Sequence, residues 1–202
     1  MLRFRVSQTV IEISFFWVAI TTLSLFMTGK DSLLPLCLVS AVIHESGHLF
    51  ILHIFGVHPS KISLKLTDTR IVCDLIELSL QKELLAMAAG PLANILVSLI
   101  AFVLNKCFNI ATFRNLCSAS LCIGIFNLLP VRSLDGEQIL SLLLMRKTEF
   151  SRKNLIINII SAIIILPVAT AGFVLVISCK HNYTLLIVAV FLIFTVISKE
   201  MR

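Results

Sequence analysis

Charge is what this chain has least of. Only 14% of its 202 residues are Asp, Glu, Lys or Arg, while 58% are hydrophobic and the mean hydropathy is +1.02. That balance excludes an ordinary soluble domain and points to an integral membrane protein. The six cysteines (Cys37, Cys73, Cys107, Cys117, Cys122, Cys179) include no C-x-x-C pair. A disulfide framework or thiolate metal site is therefore not expected, and the cysteines read as small apolar fillers. No A-x-A-like cleavage site follows the first apolar run, Val10 to Met27, so the run reads as a membrane span rather than a removed signal. Internal repeats, low-complexity linkers and a barrel-like pattern are lacking too. The net charge of +6 comes from basic residues placed between apolar runs. They read as topology signals and contacts to anionic lipid, with no nucleic-acid partner.

What is present is a polar interruption in an apolar segment, His44-Glu45-Ser46-Gly47-His48. On a helix, residues four apart share a face, so His44 and His48 can bind one zinc ion while Glu45 stands beside them as a proton acceptor. This is the H-E-x-x-H pattern of zinc peptidases. The alternative is a set of hydrogen bonds between packed helices. Ionisable groups inside a membrane are costly, which favours the functional reading.

A catalytic zinc needs a third protein ligand. A helix needs about 20 apolar residues to cross the hydrocarbon, and six such spans are expected: Val10–Met27, Leu33–Gly56, Glu83–Leu104, Leu116–Leu129, about Leu155–Ser178 and Tyr183–Ile197. Between the second and third, Lys61 to Leu66 alternates polar and apolar residues, Thr67 to Arg70 reads as a turn, and Ile71 to Ser79 reads as a second strand. The expected fold is thus an all-α polytopic membrane protein with a small β-hairpin at the membrane surface. His53 and His58, just before the hairpin, read as interfacial structural residues. The third span holds Gly90-Pro91-Leu92-Ala93-Asn94, small residues and an amide of the kind that lets helices approach and share a polar interior. A loop is expected over Asn105 to Asn115. Pro130 should then break the fourth helix and place Asp135 on irregular backbone, where it can be the third ligand. Its alternative is a capping aspartate before Gly136. A short helix is expected over Gly136 to Met145.

Six spans put both termini on one side. Thirteen basic residues fall on that side and four (Lys30, Lys106, Arg114, Lys180) on the other, which predicts cytoplasmic termini. That topology brings His44 to His48, Gly90 to Asn94 and Asp135 to the same depth, in the cytoplasmic half.

These motifs resemble the site-2 protease family of intramembrane zinc metalloproteases. The family pattern is an H-E-x-x-H helix, a central G-x-x-x-N helix and an aspartate in an N-x-x-P-x-x-x-L-D-G-like stretch. Here they read His44 to His48, Gly90 to Asn94, and Asn127 and Pro130 through Leu134-Asp135-Gly136. The resemblance implies one zinc held by His44, His48 and Asp135, with Glu45 as general base. Asn94 either positions the substrate or oxyanion or makes an interhelical hydrogen bond, and Gly90, Asn127 and Pro130 give support. It further implies a single membrane-embedded peptidase domain over 1–202 with its catalytic core at about 33–136, cutting a membrane-associated protein substrate near the cytoplasmic face. The compact form is similar to the sporulation stage IV FB branch, which implies a bacterial cytoplasmic membrane and a sigma-factor precursor as substrate, with inhibitory or oligomeric membrane partners. Ser133 stands where many relatives have proline and Glu137 where a second glycine is frequent. The soluble regulatory domain of that branch is not expected here. The rival reading is a non-catalytic metal-binding carrier or scaffold with a protease-like fold.

Overall fold

The computed structural model describes residues 2–6, 9–14, 22, 33–57, 59–64, 69–73, 78–145 and 150–178, with 186, 188–190, 192–194 and 196 near the C-terminus. The chain divides into two compact units, 1–127 and 128–202.

The first unit opens with strands β1 (Leu2–Val6) and β2 (Thr9–Ile13), followed by helix α1 (Leu33–Ile54), strands β3 (Pro59–Leu64) and β4 (Thr69–Cys73), and helices α2 (Leu80–Phe108) and α3 (Ala111–Asn127). The strands form one sheet in the order β1-β2-β3-β4. β1 with β2 and β3 with β4 pair antiparallel, and β2 pairs parallel with β3. The segment expected to be a free hairpin is therefore half of a four-stranded sheet whose other half comes from the N-terminus.

This also corrects the first span. Val10 to Ile13 is strand, not the start of a membrane helix, and from residue 15 to Met27 the run lies outside the described residues except Thr22, which is helical. Thr9, Val10, Ile11 and Ile13 are β-branched, and such residues favour the pleated surface. Glu12 fixes the choice: buried, it accepts from Arg3 Nε at 2.9 Å and pairs with Lys61 Nζ at 2.8 Å. Those cations, Lys61 first and then Arg3, hold its carboxyl below the usual carboxylate range. The ion pairs thus support the sheet above that range, and their support is lost as pH falls through the lowered value.

α1 ends in a Schellman turn. Val57 N–H reaches Leu52 O at 2.9 Å and Gly56 N–H reaches His53 O at 3.0 Å, with Gly56 at φ 71°. Glycine takes that left-handed conformation without a Cβ penalty, and Val57 packs with Leu52 and Ala86. The loop expected over Asn105 to Asn115 does not exist as such. α2 runs on to Phe108, Asn109 turns in the left-handed region at φ 51° with its N–H on Asn105 O at 2.8 Å, and α3 begins at Ala111. Asparagine tolerates that conformation, so the two residues Asn109 and Ile110 take the place of a loop.

α1, α2 and α3 pack on one another through small residues. A Cβ on Gly47 would meet Ala89 O at 2.7 Å and Ala93 Cβ at 2.9 Å; one on Gly124 would meet Pro91 O at 3.1 Å and Asn94 Cβ at 3.2 Å. The outward faces carry Val42, Phe50, Leu92, Leu96 and Leu99, each more than half exposed. Apolar outside and polar within is the arrangement of a protein solvated by lipid.

The second unit contains α4 (Asp135–Met145) and α5 (Phe150–Ser178). α5 buries Lys153, Ile157, Ser161 and Ile165, residues four apart that make one face. Lys153 Nζ donates to Ser141 of α4 at 3.1 Å. Among the described residues three helical stretches are long and apolar enough to cross a membrane: Leu33–Ile54, Leu80–Phe108 and Arg152–Val174. The fourth expected span corresponds to α3, of 17 residues, and most of Tyr183 to Ile197 lies outside the described residues.

Candidate functional site

α1 buries Ser40, His44, His48 and Leu52, a face of residues four apart turned towards the other helices. Both imidazoles are nearly fully enclosed, at 6% and 7% exposure. Their Nε2 atoms lie 3.3 Å apart, with the rings edge to face at 79°. Two nitrogens on neighbouring vertices of a zinc tetrahedron sit roughly 3.3–3.4 Å apart, given zinc–nitrogen bonds of about 2.0–2.1 Å. The pair therefore has the spacing that zinc requires.

α2 fixes the rings. His48 Nδ1 is 2.7 Å from the backbone carbonyl of Ala86. A carbonyl only accepts, so Nδ1 carries the proton and Nε2 keeps its lone pair for a metal. Gly90 makes room: a Cβ there would clash with His48 Nε2 and would lie 2.8 Å from Cδ2 and from Cε1. Asn94, fully buried, places Nδ2 3.3 Å from His44 Nδ1. Pro91 is also fully buried in this stretch, where its missing N–H removes one rung of the helical ladder. Further along, Ser40 and Ser120 share a 2.7 Å hydrogen bond, and Ser98 donates to Cys117 O at 3.0 Å. Glu45 follows His44 and is half-buried.

Of the residues singled out from the sequence, His44, His48, Gly90 and Asn94 come together in the first unit. Asn127 does not join them: its Nδ2 donates to Ile123 O at 2.9 Å, closing the end of its own helix. His53 is exposed at the end of α1, and His58 lies outside the described residues. Sequence reasoning missed the Ala86 carbonyl and the Ser40–Ser120 pair. Ser40 is four residues before His44, so the helical face that revealed the histidines could have revealed it.

In the second unit Asp135 is the first residue of α4, half-buried, rather than a residue of irregular backbone. The irregular stretch is 128–134, and a carboxylate at a helix start is favoured by the unpaired N–H groups there. The stretch has its own scaffolding. Val131 N–H reaches Leu129 O at 2.8 Å, Leu134 N–H reaches Val131 O at 3.1 Å, and Arg132 N–H reaches Ser161 Oγ of α5 at 3.2 Å. Ser133 sits at φ 79°, uncommon for a residue with a side chain. A Cβ on Gly136 would run into the carbonyls of Leu128 and Leu129, so only glycine lets α4 start this close to the end of the preceding turn. Two imidazoles and one carboxylate, His44, His48 and Asp135, are the donors that the described residues offer to a metal ion, a set that suits zinc.

Comparison with known proteins agrees with this chemistry. The family model for peptidase family M50 matches residues 106–168. A zinc metalloprotease of Methanocaldococcus jannaschii is 27% identical over 164 residues, covering 79% of this chain and 46% of that protein. The chain thus spans about half the length of that curated relative. The solved structure of a site-2 protease from the same organism superposes with a TM-score of 0.69 at 25% identity, over 96% of this chain and 92% of the other. Together these likenesses point to the M50, or site-2 protease, family.

Proposed function

We propose that this chain is an intramembrane zinc metalloendopeptidase in which His44, His48 and Asp135 hold one zinc and Glu45 is the general base. The observation that carries the reading is the 3.3 Å separation of the two Nε2 atoms, together with the Ala86 carbonyl that holds the His48 proton on Nδ1. Bound zinc supplies Lewis-acid polarisation of the attacking water and the scissile carbonyl. Glu45 takes the proton that water gives up and delivers it to the departing amine, so that cleavage ends in one new carboxylate and one new amine. The enclosing helices exclude bulk water from the imidazoles, and Gly136 seats the helix that begins with Asp135.

The substrate is a membrane-associated protein cut near the cytoplasmic face, of the sigma-factor-precursor class that the sporulation stage IV FB resemblance implies. The membrane is the bacterial cytoplasmic membrane with both termini cytoplasmic. The distribution of basic residues along the chain supports that orientation.

The test measures zinc stoichiometry and cleavage of a library of single-span reporters on the same preparations. His44→Ala, His48→Ala and Asp135→Ala each lose zinc, since two protein ligands hold the ion poorly. Glu45→Gln keeps zinc and loses roughly a hundredfold or more in cleavage. An Asp135→Ala protein with the parent's zinc removes that ligand from the site, and parent-level cleavage by Glu45→Gln removes the base. No cleavage by the parent across the library favours the metal-binding carrier.

A further inference from the structure

Arg132 stands three residues before Asp135, in the irregular stretch 128–134. Its backbone is anchored: Arg132 N–H donates to Ser161 Oγ at 3.2 Å, Ser161 is fully buried, and Val131 and Leu134 on either side are buried too. Its side chain is not. Nε is buried without an acceptor, and among the described residues no carboxylate pairs with the guanidinium.

A guanidinium is a cation with five N–H donors and no acceptor. Burying part of it unpaired is costly, and a group left in that state calls for an explanation. The turn does not require it. What Ser161 receives is a backbone N–H, which every residue but proline supplies. The side chain thus lacks a partner that the fold itself does not provide, and that partner is best an anion, because a charged acceptor stabilises a partly enclosed cation far more than a neutral carbonyl does.

Two anions come near a membrane protease, a lipid phosphate and a carboxylate of the substrate. Long cationic side chains that serve headgroups lay their stems along the outside of a protein and keep their heads in water. Arg132 instead encloses Nε, between buried neighbours, on the stretch that leads into a zinc ligand. Three residues of chain span at most about 11 Å, so a substrate whose scissile bond lies at the metal passes Arg132 within a few residues of that bond.

We infer that Arg132 is a specificity-determining residue that takes the carboxylate of a substrate aspartate or glutamate a few residues from the scissile bond. The inference rests on the reading of the chain as a zinc endopeptidase with Asp135 as a ligand. Arg132 is only half-buried, so rotation about its flexible stem brings the guanidinium to an incoming carboxylate, and Nε gains the acceptor it lacks. A carboxylate meets the planar fork through two parallel N–H groups, which fixes the register of an unwound peptide as well as its position. An amide in the same place offers one acceptor oxygen and no charge.

The test uses the zinc-loaded full chain and a single-span reporter that it cuts. Asp and Asn are placed in turn at about five positions on either side of the scissile bond, a window set by the reach of the extended chain, and kcat/KM is measured for each. The parent prefers Asp to Asn by about 10- to 100-fold at one position or two adjoining ones, the worth of one charge-assisted hydrogen bond. Arg132→Gln brings that ratio close to one, with zinc affinity and unfolding temperature those of the parent. Arg132→Glu reverses the preference and cuts a Lys reporter at that position better than the Asp reporter, which a merely structural role does not produce. A parent that cuts without preferring Asp anywhere overturns the inference and leaves the protease reading standing. A preference that survives Arg132→Gln overturns it too, as does a loss in that variant equal for the Asp and Asn reporters. Cleavage that follows the anionic-lipid content of the vesicles, with that dependence lost in Arg132→Gln and Asp no better than Asn, assigns the side chain to a lipid phosphate and likewise overturns the inference. A parent that cuts no reporter refutes the protease reading, and the inference falls with it.

Discussion

α2 and α5 look alike by every coarse measure. Each has 29 residues, each contains one proline in its interior (Pro91 and Pro167), and their apolar stretches have hydropathies of 2.1 and 2.3. Each also buries a face of residues four apart. The contents of those faces differ. α2 presents Ala86, Gly90, Asn94 and Ser98, while α5 presents Lys153, Ile157, Ser161 and Ile165. Small residues on α2 let a neighbouring helix and its imidazoles come within hydrogen-bond reach of the backbone. On α5, large aliphatic residues alternate with polar ones that reach into adjacent turns: Ser161 to the loop before Asp135, and Lys153 to α4. Hydropathy identifies a span, and only the size of the residues on its buried face says whether the span shapes a site or holds up a neighbour.

If that distinction is right, the largest effect comes from enlarging the α2 face. Gly90→Ala puts a methyl group in steric overlap with His48 Nε2, and a ring that moves aside gives up the Ala86 carbonyl that holds its other nitrogen. Displacing a reacting group by about 1 Å costs about a hundredfold in rate. We expect a loss of at least that size in cleavage, together with weakened zinc binding, while the exposed Ala162→Leu on α5 leaves both unchanged. Chelator competition and reporter assays on the two variants check this, and a Gly90→Ala protein with the parent's zinc affinity would show that the α2 face is ordinary packing.

The same contrast explains what the sequence discloses. The histidine pair is legible because four-residue spacing on a helix is a property of side chains and needs no knowledge of the neighbours. Asp135 stands out because it follows Pro130, although the proline's break is spent over 128–134 and a new helix begins at the aspartate itself. The Ala86 carbonyl is invisible, since a backbone atom has no letter. Strand β2 is hidden for a different reason: Val10 to Ile13 merges with the apolar run behind it in any hydropathy window, and only the register that sets Arg3 and Lys61 on Glu12 separates them. The polar composition around Asn105 and Asn109 suggests a long loop, yet the two residues Asn109 and Ile110 suffice, the asparagine left-handed.

An intermediate effect is expected in the stretch that α5 supports. Ser133 adopts φ 79°, which proline cannot reach because its ring holds φ near −65°. Ser133→Pro, the residue many members of the resembling family carry, should therefore force 128–134 to rebuild and lower cleavage about tenfold or more, by a rate loss of the kind that follows small misplacement of a reacting group. Ser133→Gly relieves roughly 1 kcal/mol of left-handed strain but gains about 0.4–1 kcal/mol of unfolded-chain freedom. It should leave stability and activity close to the parent's. Cleavage assays and thermal unfolding on both variants decide, and full activity in the proline variant would mean that the conformation at Ser133 is incidental.

The smallest effect belongs to Ser161 on α5, whose hydroxyl accepts from Arg132 N–H at 3.2 Å. Ser161→Ala leaves that partly buried N–H without its acceptor, a loss of roughly 1 kcal/mol in stability. Val131, fully buried beside it, keeps the turn packed, and the Leu134 N–H to Val131 O bond keeps the approach to Asp135 closed. Geometry at Asp135 should consequently survive, so zinc affinity and cleavage should change by no more than a few-fold while the unfolding temperature falls. Zinc loss in Ser161→Ala as large as that in Gly90→Ala would erase the difference between the two helices, because it would make α5 a direct determinant of ligand position. A lowered unfolding temperature with zinc retained would leave α2 as the helix that tunes the metal ligands and α5 as the one that steadies the turn.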